Sequence, residues 1–168
     1  MVELFTLDNY SIELGEYDYI YKNLDEFSPA IGVKVIKEQK IIKSAVLCGY
    51  YAAINIESTI LDEQNILICV AKNVYSLSLP ELNLNWVTET DWSSCFGIYK
   101  IKDGYIVHGE LEISKLNKNG KIKWQFGGRD IFVIIDGSKS FEIKENYIEA
   151  KDWLNFPYKI DFNGKEIK

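Results

Sequence analysis

The stretch ISKLNKNGKIKWQF, Ile113 to Phe126, decides the fold class. Apolar and polar residues alternate on both sides of Asn119-Gly120. After the turn, Ile122, Trp124 and Phe126 face one way while Lys121, Lys123 and Gln125 face the other. A period of two is the side-chain alternation of a strand, and Asn-Gly supplies the positive φ angles of a tight turn between strands. The stretch therefore reads as a β-hairpin rather than as the wall of an active site.

The same pattern extends outward. FGIYKIKDGYIVHGELEISKL carries Asp103-Gly104, a second hairpin turn. EYDYIYK alternates Tyr17, Tyr19 and Tyr21 with Asp18, Ile20 and Lys22, which predicts a strand. AIGVKVIKEQKIIKSAVLCGYYAAINI reads as two or three strands around a turn near Lys37–Lys40. Helix is the competing reading for Ala45–Ala53, weakened by Gly49 and two tyrosines. NILICVA (Asn65–Ala71) and IFVII (Ile131–Ile135, ended by Asp136-Gly137) are unbroken apolar runs, which predict strands buried on both faces. YKIDFNGKEIK repeats the Asn-Gly-Lys turn, and its last residues are expected to pair with an early strand and cover a sheet edge.

At 168 residues, with 47% hydrophobic and 26% charged residues, the composition is that of one globular domain, assigned here to residues 1–168. The turns recur. Asn65, Gly104 and Asn146 each precede an apolar strand start, at spacings of 39 and 42 residues. Trp86 and Trp124 lie 38 apart, and the glycines of KLNKNGK and KIDFNGK lie 44 apart. A period near 40 with several short strands per unit is that of propeller blades. Over Asn65–Lys168 the chain resembles quinoprotein-type and WD-type β-propeller repeat proteins, in which a strand ends in a turn like Asn-Gly-Lys and the next carries a tryptophan. The Gly-His and Trp-Asp signatures of WD repeats are missing. The expected fold is all-β: antiparallel meander or hairpin repeats forming an open twisted sheet or sandwich, with propeller-like blades as the form the resemblance implies.

Chemistry is sparse. The single histidine, His108, excludes His-based metal sites of the HExxH kind. Cys95 follows Ser93-Ser94 in a plausible loop, but Cys–His catalysis needs thiolate activation and an orienting partner. Glu110 and Glu112 would share one face of a strand, roughly 7 Å apart at a ~3.3 Å rise per residue, as a wet face or a hydrolytic pair. FGGRD (Phe126–Asp130) lacks the spacing of a phosphate loop and reads as a turn, with Arg129 free to pair with Asp91 or Asp130. No cofactor and no metal is expected. The three cysteines, Cys48, Cys69 and Cys95, lack CxxC spacing. With no basic-then-apolar leader at the start, they read as reduced cytoplasmic thiols. No apolar run is long enough to span a membrane. The four tryptophans, Trp86, Trp92, Trp124 and Trp153, read chiefly as packing residues, and any exposed member as an interface anchor.

Charge is segregated. Residues 1–30 hold seven acids against Lys22, whereas residues 31–168 hold 18 acids and 18 bases, so the whole formal charge of −6 lies in the first thirty. With one arginine and no basic cluster, the chain is not expected to bind nucleic acid. The expectation is a non-enzymatic, cytoplasmic interaction protein whose acidic, aromatic surface meets a basic protein partner. The surface would comprise Glu13, Glu16, Tyr17, Asp18, Tyr19, Tyr21, Asp25 and Glu26. Its specific form is an immunity-type inhibitor of a basic toxin. The alternative is a small-ligand or hydrolytic domain with a site around Trp92, Cys95, His108, Glu110 and Glu112.

Overall fold

A computed structural model describes residues 1–7, 16–21, 30–49, 54–134 and 138–167. Every regular element among them is a β-strand, so none is a helix long and apolar enough to cross a membrane. The strands form four sheets, one after another along the chain. The first holds β1 (Val2–Leu7), β2 (Tyr19–Tyr21), β3 (Ala30–Lys37) and β4 (Lys40–Cys48), in the order β1-β3-β4-β2. The second is a meander of β5 (Thr59–Asp62), β6 (Asn65–Val70), β7 (Asn73–Ser78) and β8 (Leu84–Glu89). The third repeats it with β9 (Cys95–Ile101), β10 (Gly104–Gly109), β11 (Glu112–Asn117) and β12 (Ile122–Gly127). The fourth has β13 (Phe141–Ile143), β14 (Tyr147–Lys151) and β15 (Pro157–Asp161).

The sheets stack through three apolar layers. Ile31, Val33 and Leu47 meet Ile66, Ile68 and Tyr75 between the first and second sheets. Leu67 and Val74, on the other face of the second sheet, meet Ile98, Val107 and Leu116 of the third. Ile106 and Ile113, on the far face of the third, meet Phe141, Ile148, Tyr158 and Ile160 of the fourth. This is why NILICVA is apolar throughout: both faces of β6 are covered. No apolar layer joins the first sheet to the fourth among the described residues. The outer face of the fourth sheet is polar instead, with Lys144 bridging Glu142 and Glu149 and Lys159 lying over the Tyr147 ring.

One lock recurs at each junction. The aromatic residue of a sheet's outermost strand reaches into the last turn of the next sheet. Trp86 of β8 covers Gly120, where φ is +77° and an added methyl would overlap the indole. Thr88 donates to the Gly120 carbonyl at 2.7 Å. Trp124 of β12 covers Gly164, where φ is +83°, and its Nε1–H donates to the Phe162 carbonyl at 3.1 Å. At the first junction the Tyr21 hydroxyl donates to the Leu82 carbonyl at 2.8 Å and accepts from the Leu84 N–H at 3.2 Å. The two glycine turns have the same chemistry. Asn117 Oδ1 accepts the N–H groups of Asn119 and Lys121, and Asp161 Oδ1 accepts those of Asn163 and Lys165. The paired 38- and 44-residue spacings in the sequence are this lock, repeated.

Several expectations need correction. Ile131–Ile134 form no strand, and Ile135, Asp136 and Gly137 lie outside the described residues. The run is apolar because it seals the end of the last layer, where Phe132 is fully buried between Phe126 and Tyr158. Lys165–Ile167 pair with β15 and not with an early strand, because the tight Asp161–Lys165 turn folds them directly back. The EYDYIYK strand shrinks to Tyr19–Tyr21 and runs parallel to β4, pairing Ile20 with Val46. Of the Ala45–Ala53 ambiguity, Ala45–Cys48 is strand and 50–53 lie outside the described residues.

Candidate functional site

In a meander, the turn after each second strand and the link to the next sheet lie at the same end. Hydrogen bonds tie these segments into a continuous rim: Thr90 N–H to Lys72 O, Cys95 to Ala71, Glu110 to Ser94, Phe132 to Glu110 and Trp153 to Ile131. The opposite end carries polar turns such as Lys118-Asn119 and Glu145-Asn146.

The rim holds the exposed tryptophans. Trp92 is 76% exposed and Trp153 36%, accompanied by Leu111 at 38% and Leu154 at 75%. Each tryptophan follows a buried aspartate that ties its own loop. Asp91 Oδ1 accepts the Ser93 N–H, and its Oδ2 accepts those of Leu111 and Glu112 at 2.9 and 2.8 Å. Asp152 Oδ1 accepts the Leu154 and Phe156 N–H groups, and its Oδ2 accepts the Tyr158 hydroxyl at 2.9 Å. A carboxylate with this many donors is satisfied without a cation and holds the following indole outward on a fixed loop. The sequence carries a sign of this: Asp-Trp occurs twice, at Asp91-Trp92 and Asp152-Trp153, whereas the locking tryptophans follow Asn85 and Lys123.

The residues of the proposed hydrolytic site do not converge. Cys95 lies in the layer between the second and third sheets, its thiol donating to the carbonyls of Ala71 and Asn73. His108 lies on the other face of the third sheet, stacked on Phe141 with ring centroids 4.5 Å apart and edge-on to Phe96. Its Nε2 is 3.1 Å from the Phe132 carbonyl, an acceptor, so that nitrogen carries the proton. Burial pushes the His108 pKa down to about 4, the setting of a neutral core residue and not of a general base near neutrality.

Glu110 and Glu112 do not share a strand face. Glu110 sits in the turn after β10, and Glu112 opens β11. Glu110 Oε2 accepts the Ser93 hydroxyl at 2.5 Å. Burial, and then the Asp91 charge, raises the Glu112 carboxyl above its ordinary value. A carboxyl raised in the folded state destabilises the fold once ionised, above its folded pKa, and this penalty vanishes as pH falls below the ordinary value. Glu112→Gln is therefore expected to raise the thermal midpoint at pH 7 but not at pH 4, as read by calorimetry. Arg129 forms no ion pair with Asp91 or Asp130; its guanidinium lies 3.9 Å from the Phe156 ring centroid. The delocalised cation of arginine favours this stacking.

Of the acidic N-terminal set, Glu13, Asp25 and Glu26 lie outside the described residues. Glu16 is exposed. Asp18 accepts the Ser44 N–H at 2.8 Å and the Ser44 hydroxyl at 3.0 Å, with Lys43 Nζ 3.6 Å away. The Ser44 hydrogen bonds, more than Lys43, hold its carboxyl below the ordinary range. Tyr19 and Tyr21 stack on each other and pack against the first inter-sheet layer, while Tyr17 packs on Val46 and Cys48 at the outer face of the first sheet.

No family model and no curated protein matches the chain. Solved structures do. BamB from Moraxella catarrhalis superposes with a TM-score of 0.58 at 16% identity, over 99% of this chain and 50% of that one. The WD40 domain of Neurospora crassa Pan2 gives 0.52 at 17% identity, over 67% of this chain and 37% of that one. The CNH domain of AfRom2 gives 0.51 at 14% identity, over 84% and 47%. The chain thus spans about half the length, or less, of the structures it resembles. The likeness is one of fold, and that fold is β-propeller-like.

Proposed function

We propose that the chain is a non-enzymatic protein-binding module whose contact surface is the rim bearing Trp92, Leu111, Trp153 and Leu154. One observation carries the reading: two tryptophans lock sheets together, while two are held outward at a single end on loops tied by buried aspartates. Exposed tryptophans gathered on one face are characteristic anchors of protein interfaces, and a rigid loop lowers the ordering cost of binding. Propeller-like relatives fit a binding role.

A basic partner remains part of the proposal, with an immunity-type inhibitor of a basic toxin as its specific form. Support comes from the acidic excess of residues 1–30, of which Glu16 is exposed and Asp18 partly committed. A reducing, cytoplasmic setting is proposed from three buried cysteines without a disulfide.

The test is comparative capture from the native extract. A partner retained by the wild type and by Lys118→Ala at the polar end is expected to lose at least tenfold in affinity with Trp92→Ala/Trp153→Ala, since interface tryptophans are worth ~2 kcal/mol or more. The double variant should keep its fold, both side chains being exposed. Equal retention by the double variant overturns the assignment of the surface.

A further inference from the structure

The rim is not evenly charged. Around Trp92 it carries Asp91, Glu110 and Glu112, and none of the three forms an ion pair among the described residues. Of the described cations at this end, two are engaged, and Lys139 and Lys151 line a groove of the fourth sheet with Glu142 and Glu149. Lys72 pairs with Glu89 at 2.8 Å, and Arg129 is stacked on Phe156. Ser93, the residue after Trp92, donates to Glu110 at 2.5 Å, so that carboxylate is fixed against the loop presenting the indole. An exposed indole face, with the half-buried Glu110 carboxylate tied to the next residue and Glu112 following it, forms a negative, aromatic seat. Leu111 lies between Glu110 and Glu112 in the chain, and Trp153 and Leu154 continue the apolar part of the rim through Ile131.

Resting on the protein-binding reading above, we infer that the partner inserts a cationic side chain, an arginine or lysine, between the Trp92 indole and the Glu110 carboxylate, with aliphatic neighbours seated on Leu111, Trp153 and Leu154. Charge complementarity selects this occupant. A neutral or acidic segment would leave the Glu110 and Glu112 carboxylates unmatched as their hydration is displaced, whereas one guanidinium answers both the ring face and the carboxylate. The positive charge invoked belongs to the partner, which is consistent with an acidic chain.

The full-length chain, labelled with nitrogen-15, is titrated with two capped peptides of alternating residues, Leu-Arg-Leu-Arg-Leu and its citrulline counterpart, which keeps the shape without the charge. The four indole N–H signals report separately. The arginine peptide is expected to shift Trp92 and Trp153 and to leave Trp86 and Trp124 in place. The citrulline peptide should bind roughly fivefold to tenfold more weakly, as for one cation–π contact with one partly screened ion pair. Glu110→Gln, which keeps an acceptor for Ser93, should produce the same loss, and salt at about 0.5 M should weaken only the arginine peptide. Equal binding of both peptides at Trp92 and Trp153 overturns the cationic inference while leaving the binding surface standing. Binding that moves neither indole, or none at all, overturns both.

Discussion

Trp124→Ala is expected to lower the unfolding free energy by about 3–5 kcal/mol, the range for removing a large aromatic residue from a packed site. Two losses combine. The indole N–H no longer satisfies the Phe162 carbonyl, and the ring no longer covers Gly164 at the turn beyond β15. The Phe162 carbonyl keeps Lys115 Nζ at 3.1 Å, which limits the damage to the apolar contact and one of two hydrogen bonds. For a chain of this length the shift amounts to a fall in thermal midpoint of about 10 °C. Gly164→Ala should act in the same direction from the other side of the contact. A methyl there would stand 2.6 Å from the indole in a left-handed conformation that alanine disfavours. Because neighbouring sheets are coupled chiefly through their shared layers, amide exchange in both variants should rise first in β13–β15 and least in β3–β7. Trp92→Ala serves as the control: it removes the same ring from an exposed position and should change stability by no more than about 0.5 kcal/mol.

His108 sets the response to acid. The histidine is buried and its pKa is pushed down to about 4, from an ordinary 6.5, first by burial and against the opposing hydrogen bond to Phe132. In the unfolded chain it takes up a proton near pH 6.5; in the folded chain it does not until about pH 4. The folded state therefore binds fewer protons across that window, and stability falls as pH falls from 6.5 to 4, by on the order of 3 kcal/mol. The paired aspartates act lower. Lys100 and Tyr105 hold the Asp62 carboxyl below its ordinary 3.8, and Lys115 does the same for Asp103, so their contributions are lost only at more acid pH. Urea titrations between pH 7 and pH 4 should show this slope in the wild type. His108→Phe, which keeps an aromatic ring against Phe141, should start lower at pH 7 for want of the bond to Phe132 and then lose the fall toward pH 4, leaving only the small gain from protonating Glu112.

Much of the fold is legible in the chain because it rests on local chemistry. Asn119-Gly120 and Asn163-Gly164 announce their turns, and alternation announces β11 and β12 on either side of the first. The recurrence of Trp86 and Trp124 marks the blade period, but not what the rings do. Each docks on a glycine in the following sheet, a contact that no short window contains. The apolar run Ile131–Ile135 misleads for a related reason: continuous hydrophobicity records burial, and Phe132 is buried as a plug at the end of a layer and not as a strand. Tyr19 and Tyr21 show the period of a strand, yet its parallel pairing and its place at a junction follow from β4 and from Leu82. Asp18 counts as free charge until Ser44 comes beside it. The candidate surface was half visible. Its tryptophans could be counted, but their division into locking and exposed pairs required the loops of Asp91 and Asp152. The repeated Asp-Trp pair is the local trace of those loops.

The claim that the molecule spends two tryptophans on its own architecture and reserves two for a partner can be tested in the complex itself. With the partner captured by the wild-type chain, amide and indole hydrogen exchange is measured in the free and the bound protein. Added protection is expected at residues 91–94, 110–112, 129–132 and 152–156, including the Trp92 and Trp153 indoles, with Trp86 and Trp124 unchanged. Protection confined to Glu16–Tyr21, or to the polar turns around Asn119 and Asn146, would contradict it.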